Sequence, residues 1–524
     1  MLARVLSSAL VGVEARVVDV EVDIARGLPA FTTVGLAETA VRESRERVKA
    51  AVTNSGFLFP NDRITVNLAP ADMRKEGTGF DLPVALGVLM ATGMVPEGAT
   101  AGFLVCGELA LDGRVKPVRG VLAMAMEARR RGMNAVVVPH ANRIEASVVR
   151  GLQVYAVNSL SEAVGFLRGI QSLVPEPPFD GLSPESVDYP IDFSDIAGQD
   201  HAKRALEIAA SGRHNLLMNG PPGSGKTMLA RALPSILPPL AFEEALETTR
   251  VHSASGLLDR ETPLVVTRPM RSPHHTISDA GLTGGGHNPT PGEVSLAHNG
   301  VLFLDELPEF KKRVLDVLRQ PLEDGFVHIA RARTKVTYPS DTLLVCAMNP
   351  CPCGYATHPG RECRCSSVQV ERYQGRVSGP LLDRIDLHVE VPAVSFDELS
   401  GRKKATGEPS LAVRARVVAA VGRQAIRFQD LPIRFNGQMG SREVRQFCVI
   451  SQESQTLLET AVKRLGLSAR AWMRCLKMAR TIADLEGVEA IETPHVAEAI
   501  QYREIFSRVE ERAPWEAAQP AHIL

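Results

Sequence analysis

Residues 220–227 read GPPGSGKT and match the phosphate-loop pattern G-x-x-x-x-G-K-[ST] at every fixed position. An apolar run at 216–218 precedes them and a helix-like run at 228–233 follows, which is the strand, loop and helix context that this pattern requires. Glycines let backbone N–H groups turn toward the β- and γ-phosphates, a lysine adds positive charge, and a threonine hydroxyl can join a Mg²⁺ shell. We therefore predict an ATP-binding loop, with an ordinary glycine-rich turn as the alternative. Its residues are Gly220, Pro221, Pro222, Gly223, Ser224, Gly225, Lys226 and Thr227.

A second stretch places two carboxylates where a nucleotide site needs them. The apolar run 301–304 is typical of a buried strand and is followed by Asp305 and Glu306. Ligands of open α/β sheets bind at the carboxyl ends of the strands. We predict that Asp305 and Thr227 hold Mg²⁺ and that Glu306 activates water for hydrolysis. The alternative is a strand that ends in two solvated acids.

Composition bounds the class of protein. A chain of 524 residues is long enough for about three domains, and its 44% hydrophobic and 23% charged residues are ordinary for a globular protein. The net charge of −1 means that a site for a polyanion must be a local patch. No apolar run is long enough to cross a membrane, and the alternating residues up to position 23 favour a β-strand over a signal peptide. Eight cysteines without a secretory signal suggest a reducing cytoplasm.

The pattern of elements predicts an α/β protein with several units. Strands are predicted at 64–68, 103–106 and 135–138, and helices at 82–90 and 121–131. The stretch 171–190 is rich in Pro, Ser and acids, as linkers are. We predict an amino-terminal α/β domain (1–170), a linker (171–190), a nucleotide-binding α/β core (191–400), a helical lid (401–510) and a tail (511–524).

Two stretches of the core contain further candidate residues. A Gly-, Pro- and His-rich stretch from 248 to 296 predicts a long mobile loop; metal binding by His274 and His275 is the alternative. Residues 326–338 predict a strand, turn and strand, with Arg331, Arg333 and Lys335 near the tip. A basic hairpin can hold the phosphate backbone of DNA, and a solvated turn is the alternative.

Polar and thiol groups follow the next predicted strand, 342–347. Asn349 lies where a polar group would meet the γ-phosphate or its attacking water. Cys351, Cys353, Cys363 and Cys365 come directly after it. Four thiolates can close a tetrahedral Zn²⁺ site, but the C-x-C spacing is tighter than usual, so free reduced thiols in a loop remain the alternative.

The carboxyl-terminal part is predicted to be helical. Arg416, Arg423 and Arg427 fall on one helical face, which could meet DNA, a neighbour's nucleotide or only solvent. Residues 452–504 have helical periodicity with little Gly or Pro.

The amino-terminal unit resembles the proteolytic domain of Lon and the matching domain of RadA. The likeness lies in Lys75, Glu76 and Gly77, and in the stretches 107–109, 117–120 and 136–139. Where those alignments place the Lon Ser and Lys, this sequence has Gly79 and Leu122. Without a nucleophile or base we expect no peptidase activity. The resemblance implies a retained fold that serves interaction or assembly.

Nearly the whole chain resembles a magnesium-chelatase-like AAA+ ATPase of the YifB/ComM family. The specific motifs are APADMRKEG (69–77), MNPCPCG (348–354), GPLLDRID (379–386) and SARAWMRCLKMARTIADLEG (468–487). The resemblance implies a homo-hexameric ring that hydrolyses ATP between subunits, with Arg384 reaching the neighbour's γ-phosphate and Arg470 coupling nucleotide to the lid. An intrachain ion pair of Arg384 with Asp383 or Asp386 is the alternative.

The same resemblance implies a function on DNA. A competence member of the family is described as a helicase that drives branch migration during natural transformation, so branched or single-stranded DNA and recombination proteins are the expected partners. The alternative is a magnesium-chelatase-type motor that remodels a protein partner.

Overall fold

The computed structural model of the protein describes residues 2–36, 41, 43–75, 77–179, 189–258, 263–286, 289–331, 334–394 and 407–503. At positions 331 and 334 it describes the backbone alone. Within these ranges the chain forms two large sheets, each with its own apolar core, and the expected α/β class is confirmed.

The amino-terminal sheet has seven strands in the order β3-β4-β2-β1-β5-β8-β9. Strands β1, β2 and β4 pair antiparallel, while β3 joins β4, and β5, β8 and β9 join β1, in parallel. The short β6 and β7 form a separate hairpin. The strands are β1 (Leu2–Val11), β2 (Glu14–Ala25), β3 (Ala30–Val34), β4 (Arg63–Ala69), β5 (Phe103–Val105), β6 (Glu108–Leu109), β7 (Val115–Lys116), β8 (Ala135–Pro139) and β9 (Gln153–Val157).

In the described residues five helices accompany this sheet, and the most apolar of them is completely buried. Every residue from 81 to 91 is buried, because a helix that is apolar all round finds no favourable face for water. The strands and helices predicted here are confirmed to within two residues. The helices are α1 (Ser44–Asn54), α2 (Asp81–Ala91), α3 (Val121–Arg130), α4 (Arg143–Ser147) and α5 (Leu160–Leu167).

The second sheet has five parallel strands in the order β11-β14-β17-β10-β18. Its three central strands are short and buried on both faces, as parallel sheets between helices require. Two hairpins, β12–β13 and β15–β16, stand outside it. The strands are β10 (Leu216–Asn219), β11 (Met270–Arg271), β12 (Gly284–Gly285), β13 (Thr290–Pro291), β14 (Val301–Leu304), β15 (Phe326–Arg331), β16 (Thr334–Pro339), β17 (Leu343–Met348) and β18 (Leu387–Glu390).

Helices surround this sheet and continue into the lid. The core helices are α6 (Asp200–Gly212), α7 (Lys226–Ala232), α8 (Phe242–Ser255), α9 (Asp279–Thr283), α10 (Glu293–Leu296), α11 (Lys312–Asp316), α12 (Pro321–Asp324), α13 (Ser367–Gln374) and α14 (Gly379–Leu382). The lid helices are α15 (Ser410–Arg427), α16 (Ser441–Phe447), α17 (Gln452–Leu465), α18 (Ala469–Glu486) and α19 (Thr493–Gln501). The lid shares one apolar core with β10 and α6, so the two pack as one body.

The stretch 248–296 is more structured than its composition predicts. Helix α8 continues to Ser255, and β11, α9, β12, β13 and α10 follow before residue 296. The expectation of one long loop was therefore wrong for the residues described here. Gly256 ends α8 with a φ of 71°, a conformation that glycine adopts readily. The short elements that follow are fixed by pairing with distant strands, as β11 is with β14.

The two sheet units contact each other through apolar side chains. Val13, in the turn between β1 and β2, packs with Val251, Val336 and Tyr338 of the core. Leu122 and Val148 pack with Leu240, Ala245 and Leu264. In the part of the chain that the structure describes, no helix is long and apolar enough to cross a membrane.

Candidate nucleotide site

The phosphate loop connects β10 to α7, as the sequence predicts. Gly223 and Gly225 have φ values of 78° and 91°, which residues with a Cβ rarely adopt. A Cβ on Gly220 would lie 2.1 Å from the carbonyl oxygen of Val391, so only glycine fits there. The loop is thus a tightly supported cradle whose backbone can turn its amides toward a phosphate.

Lys226 is buried in this loop and bonds the loop's own carbonyls. Its Nζ donates to Gly220 O at 2.7 Å and Pro221 O at 2.8 Å, and lies 3.3 Å from Asn349 Oδ1. Burial lowers the pKa of Lys226 to about 8, although the nearby Asp305 carboxylate opposes this shift. The ammonium therefore lacks a full counter-charge, which an incoming triphosphate would supply.

This pKa predicts that ATP binding is coupled to proton uptake. Bound phosphates restore the ordinary pKa of Lys226, so between about pH 8 and pH 10 the free protein must gain a proton when it binds. We expect ATP affinity to fall as pH rises above 8, about tenfold at pH 9, because the deprotonated form binds poorly. Titration calorimetry in buffers of different ionisation enthalpy measures this uptake.

The control is Lys226→Arg, because a guanidinium stays charged throughout this range. If Lys226→Arg binds ATP without proton uptake near pH 8.5, the proton taken up by the unmodified protein is the one bound by Lys226. Equal uptake in the variant and the unmodified protein would contradict it.

Thr227 and Asp305 meet across two strands at the carboxyl edge of the sheet. The Thr227 hydroxyl donates to Asp305 Oδ2 at 2.8 Å, although 78 residues separate them. A hydroxyl and a carboxylate side by side are hard oxygen donors of the kind that Mg²⁺ prefers. These two groups therefore fit a Mg²⁺ ion that accompanies ATP.

Glu306 projects from the same edge in an unusual backbone conformation. Its φ is 52°, in the left-handed region, and its side chain is 58% exposed. Non-glycine residues held in that region concentrate at functional sites. His275 Nδ1 lies 3.7 Å from Glu306 Oε2, and the His275 and His274 rings are in contact, tilted by 33° with centroids 4.1 Å apart.

The contact of His275 with Glu306 was missed at the sequence level. A metal site was the alternative considered for the two histidines, and the metal-ligand group found among the described residues is the cysteine cluster. The signal that could have found the contact is the order of strands, because β11 lies beside β14 and the two run parallel.

Asn349 completes the edge beyond β17, next to Lys226. The segment before α6 also reaches the loop, because Gln199 Nε2 donates to Ser224 O at 3.3 Å and Pro392 O at 2.8 Å. Lys226, Thr227, Asp305, Glu306 and Asn349 thus lie together, as predicted from three separate strands.

Arg384 and Arg470 lie at the opposite, amino edge of the sheet. Arg384 comes just before β18, and Asn215, just before β10, donates to its carbonyl oxygen at 3.1 Å. Its Nη2 lies 2.6 Å from Glu323 Oε1, and Arg470 Nη1 lies 3.8 Å from the same oxygen. The ion pairs considered for Arg384 with Asp383 or Asp386 are not the ones formed, since Glu323 is its partner and Asp386 pairs with Arg474.

The two arginines differ in exposure. The Arg384 side chain is 8% exposed and its Nε has no hydrogen-bond partner in the described structure, whereas Arg470 is 59% exposed. No contact recorded for the described residues joins either arginine to the phosphate loop of its own chain.

The four cysteines converge although ten residues separate the two pairs. Sγ of Cys351 lies 3.3 Å from that of Cys353 and 3.5 Å from that of Cys363, and Cys353 lies 3.6 Å from Cys363. Cys365 completes the group, with all four sulfurs within 4.8 Å of one another. Two backbone amides lower the pKa of Cys353 to about 6, whereas burial and the neighbouring thiols raise the pKa of Cys363 and Cys365.

The candidate DNA residues are placed only in part. The hairpin is confirmed, with Arg331 opposite Thr334 and Lys335 exposed. Arg333 lies outside the described residues, and the side chain of Arg331 is not described.

The basic face predicted on α15 turns toward the chain itself. Arg416 pairs with Glu207 and Glu408, Arg427 pairs with Asp484, and Arg423 donates to the Asp484 carbonyl at 2.9 Å. These contacts join the lid to the core and to itself, while Arg416 and Arg423 remain exposed to solvent. Contact of this face with DNA or with a neighbour's nucleotide stays a prediction.

The two positions of the Lon dyad are occupied without catalytic groups. Gly79 lies beside Val118, and Leu122 is fully buried between the amino-terminal unit and α8. The Leu122 amide donates to the buried Glu145, which also accepts from Ser253 of α8. This region therefore contributes to the contact between the two sheet units.

Comparison with known proteins places the chain among relatives of similar length. Family models described as "Magnesium chelatase, subunit ChlI", "Subunit ChlI of Mg-chelatase" and "Magnesium chelatase, subunit ChlI C-terminal" match residues 192–399, 20–142 and 407–503. YifB of Escherichia coli is 44% identical over 506 residues, which are 96% of this chain and 97% of that protein. The competence protein ComM of Haemophilus influenzae is 44% identical over 509 residues, again 96% and 97%. Lon protease 2 of Bacillus subtilis is 31% identical over 156 residues, 27% of each chain.

Proposed function

Because this chain belongs to the magnesium-chelatase-like AAA+ proteins of the YifB/ComM type, we propose that it is an ATPase that works as a hexameric motor on DNA. The ATPase part of this proposal rests on the side chains at the carboxyl and amino edges of the five-stranded sheet. One edge has a phosphate loop, a candidate Mg²⁺-binding pair and the exposed carboxylate of Glu306; the other has two arginines that make no contact with that loop.

In this proposal each residue of the carboxyl edge has a separate role in ATP binding or hydrolysis. The backbone of 220–227 and Lys226 bind the phosphates, and Thr227 and Asp305 hold Mg²⁺, which neutralises phosphate charge when bound. Glu306 takes a proton from the attacking water, and Asn349 orients that water. His275 lies close enough to hold the Glu306 carboxylate in place.

Arg384 and Arg470 would act in trans. Their shared contact with Glu323 places both at the amino edge, so a neighbouring subunit must bring its γ-phosphate to them. This changes the role proposed for Arg470. Instead of sensing the nucleotide of its own chain, it assists Arg384 at the subunit boundary.

The DNA part of the proposal rests on similarity to a competence protein and on the basic β15–β16 hairpin. In the motor proposed here, hairpins of several subunits grip DNA inside the ring, and branch migration follows from their movement. Recombination proteins would load or receive that DNA in the cytoplasm.

Replacing Arg331, Arg333 and Lys335 together by Ala should abolish stimulation of hydrolysis by DNA and leave basal hydrolysis unchanged. The reason is that each lost charge removes a phosphate contact, while the ATP site lies elsewhere. ATP hydrolysis is measured without DNA, with single strands and with a four-way junction, and junction movement is scored in the same samples.

A matched control removes two Arg and one Lys from the exposed lid, at Arg442, Arg445 and Lys463. If DNA still stimulates hydrolysis in the hairpin variant, the hairpin does not bind the DNA that stimulates the protein. Hydrolysis that ignores all three DNA conditions in the unmodified protein would instead favour the second candidate, a chelatase-type motor that remodels a protein partner.

We also propose that the four cysteines hold structural Zn²⁺. Sulfurs bound at about 2.3 Å in a tetrahedron lie about 3.8 Å apart. Three of the sulfur pairs, at 3.3–3.6 Å, are near that spacing. Since each C-x-C pair comes from a different end of the loop, the tight spacing within a pair does not prevent a four-sulfur site.

A further inference from the structure

The cysteine loop begins and ends at the nucleotide site. It leaves β17 directly after Asn349 and returns through α13, whose Gln374 Nε2 donates to Pro350 O at 3.0 Å. Tyr373, on the same helix, is buried, and its hydroxyl accepts a hydrogen bond from the backbone of Asn349. Both ends of the loop therefore fix the position of Asn349.

The loop also touches the phosphate loop. Gly354, between the two cysteine pairs, has a φ of 84° and packs against Pro222 so closely that a Cβ would lie 2.6 Å from Pro222 Cδ. The same Cβ would be 3.9 Å from Asn349 Cγ. One residue of the cysteine loop thus supports both the phosphate cradle and the group proposed to orient water.

Apart from the sulfurs, this loop is held by local contacts, such as that of Arg361 with Tyr355, and by no apolar core. None of the residues 355–366 is buried, so no apolar core orders them, and closing such a loop costs conformational entropy. The four sulfurs, which join residue 351 to residue 365, are the groups that can close it.

We propose that a metal-closed cysteine loop is a positioning device for ATP hydrolysis: Zn²⁺ on Cys351, Cys353, Cys363 and Cys365 presses Gly354 against Pro222 and thereby holds the phosphate loop and Asn349 in register. Hydrolysis is then dependent on zinc, although zinc touches neither ATP nor water. This inference rests on the proposed ATPase function.

The decisive variant is Gly354→Ala, which leaves all four thiols intact but introduces the clash with Pro222 and, at a φ of 84°, local backbone strain. Its control is Gly360→Ala in the same loop, where a Cβ would meet only His358 at 3.7 Å, an ordinary contact. We expect one zinc per chain in both variants. In Gly354→Ala we expect kcat/KM for ATP to fall on the order of 10²-fold, because a shift of about 1 Å in a catalytic group has that effect.

Metal removal also tests the contact between Gly354 and Pro222, because the proposal makes this contact depend on bound Zn²⁺. Chelation, or the double variant Cys351→Ser/Cys353→Ser, should raise hydrogen exchange of residues 220–227 and lower hydrolysis, and added Zn²⁺ should restore both in the chelated protein only. Melting temperature, measured in parallel, separates a local effect from unfolding.

Three results would overturn the inference: no zinc in protein purified without chelator, equal kcat/KM in the two glycine variants, or unchanged exchange at 220–227 after metal removal. Failure of the ATPase proposal is distinguishable. In that case the unmodified protein hydrolyses no ATP, while zinc content and exchange at 220–227 still report on the contact.

Discussion

Glu306→Gln is expected to lower ATP hydrolysis on the order of 10³-fold, the size of a general-base contribution, and to leave ATP binding intact. Gln keeps the length and shape of the side chain but cannot take a proton from water. The recorded side-chain contact of Glu306 is with His275, and the groups assigned to phosphate binding, Lys226 and Thr227, make theirs elsewhere. Single-turnover hydrolysis and the affinity for a fluorescent ATP analogue measure the two parts separately.

The control for this variant is Glu309→Gln, three residues further on. Glu309 is similarly exposed, at 43%, and pairs with Arg376, so its loss removes a carboxylate from the same surface without touching the phosphate edge. Hydrolysis in Glu306→Gln that equals the rate of the control would show that another group activates water.

Arg384→Ala is the second variant with a large expected effect. An arginine that reaches a neighbour's γ-phosphate contributes roughly 10³ to 10⁵ in rate, so hydrolysis should fall by at least about 10³-fold. ATP binding should persist, because Arg384 and the phosphate loop lie at opposite edges of one sheet. The variant also loses the ion pair of Arg384 with Glu323, and Arg470 is then the remaining partner of Glu323. The free energy of unfolding is therefore measured in parallel.

Mixing two inactive variants distinguishes action in trans from a structural defect. At a boundary where Arg384→Ala supplies the phosphate loop and Glu306→Gln supplies the arginine, every catalytic group is present. Partial recovery of hydrolysis on mixing is therefore expected. Recovery that never appears at any ratio, in subunits shown to assemble together, would mean that Arg384 does not act across the boundary.

The control for this mixture is Arg376→Ala with Glu306→Gln. Arg376 is exposed and pairs with Glu309, so its variant should hydrolyse ATP by itself and gain nothing from the partner. A gain of equal size in both mixtures would point to assembly alone.

Much of the nucleotide edge could be predicted because the required residues are local. Lys226 and Thr227 lie in one eight-residue motif, and Asp305, Glu306 and Asn349 each follow a buried strand directly. Parallel strands end at one edge, so the three segments had to meet there. The α/β class and the elements around it follow from the same short-range periodicity.

Other features depend on contacts between distant segments, which local patterns do not encode. Arg416, Arg423 and Arg427 share a helical face in the sequence, but the packing of α15 decides that this face meets acids of its own chain. The stretch 248–296 looked like a loop because its short strands gain their stability from β14 and from each other.

The sequence by itself determined what the site binds, since the chemistry of phosphate and Mg²⁺ binding is contained in a few adjacent residues. Only the tertiary structure decided which groups lie together: Arg384 and Arg470 at Glu323, His275 and Glu306, and the two cysteine pairs. The physical reason is that each of these contacts joins residues at least ten positions apart, and chain packing alone selects among the many partners of suitable charge or shape.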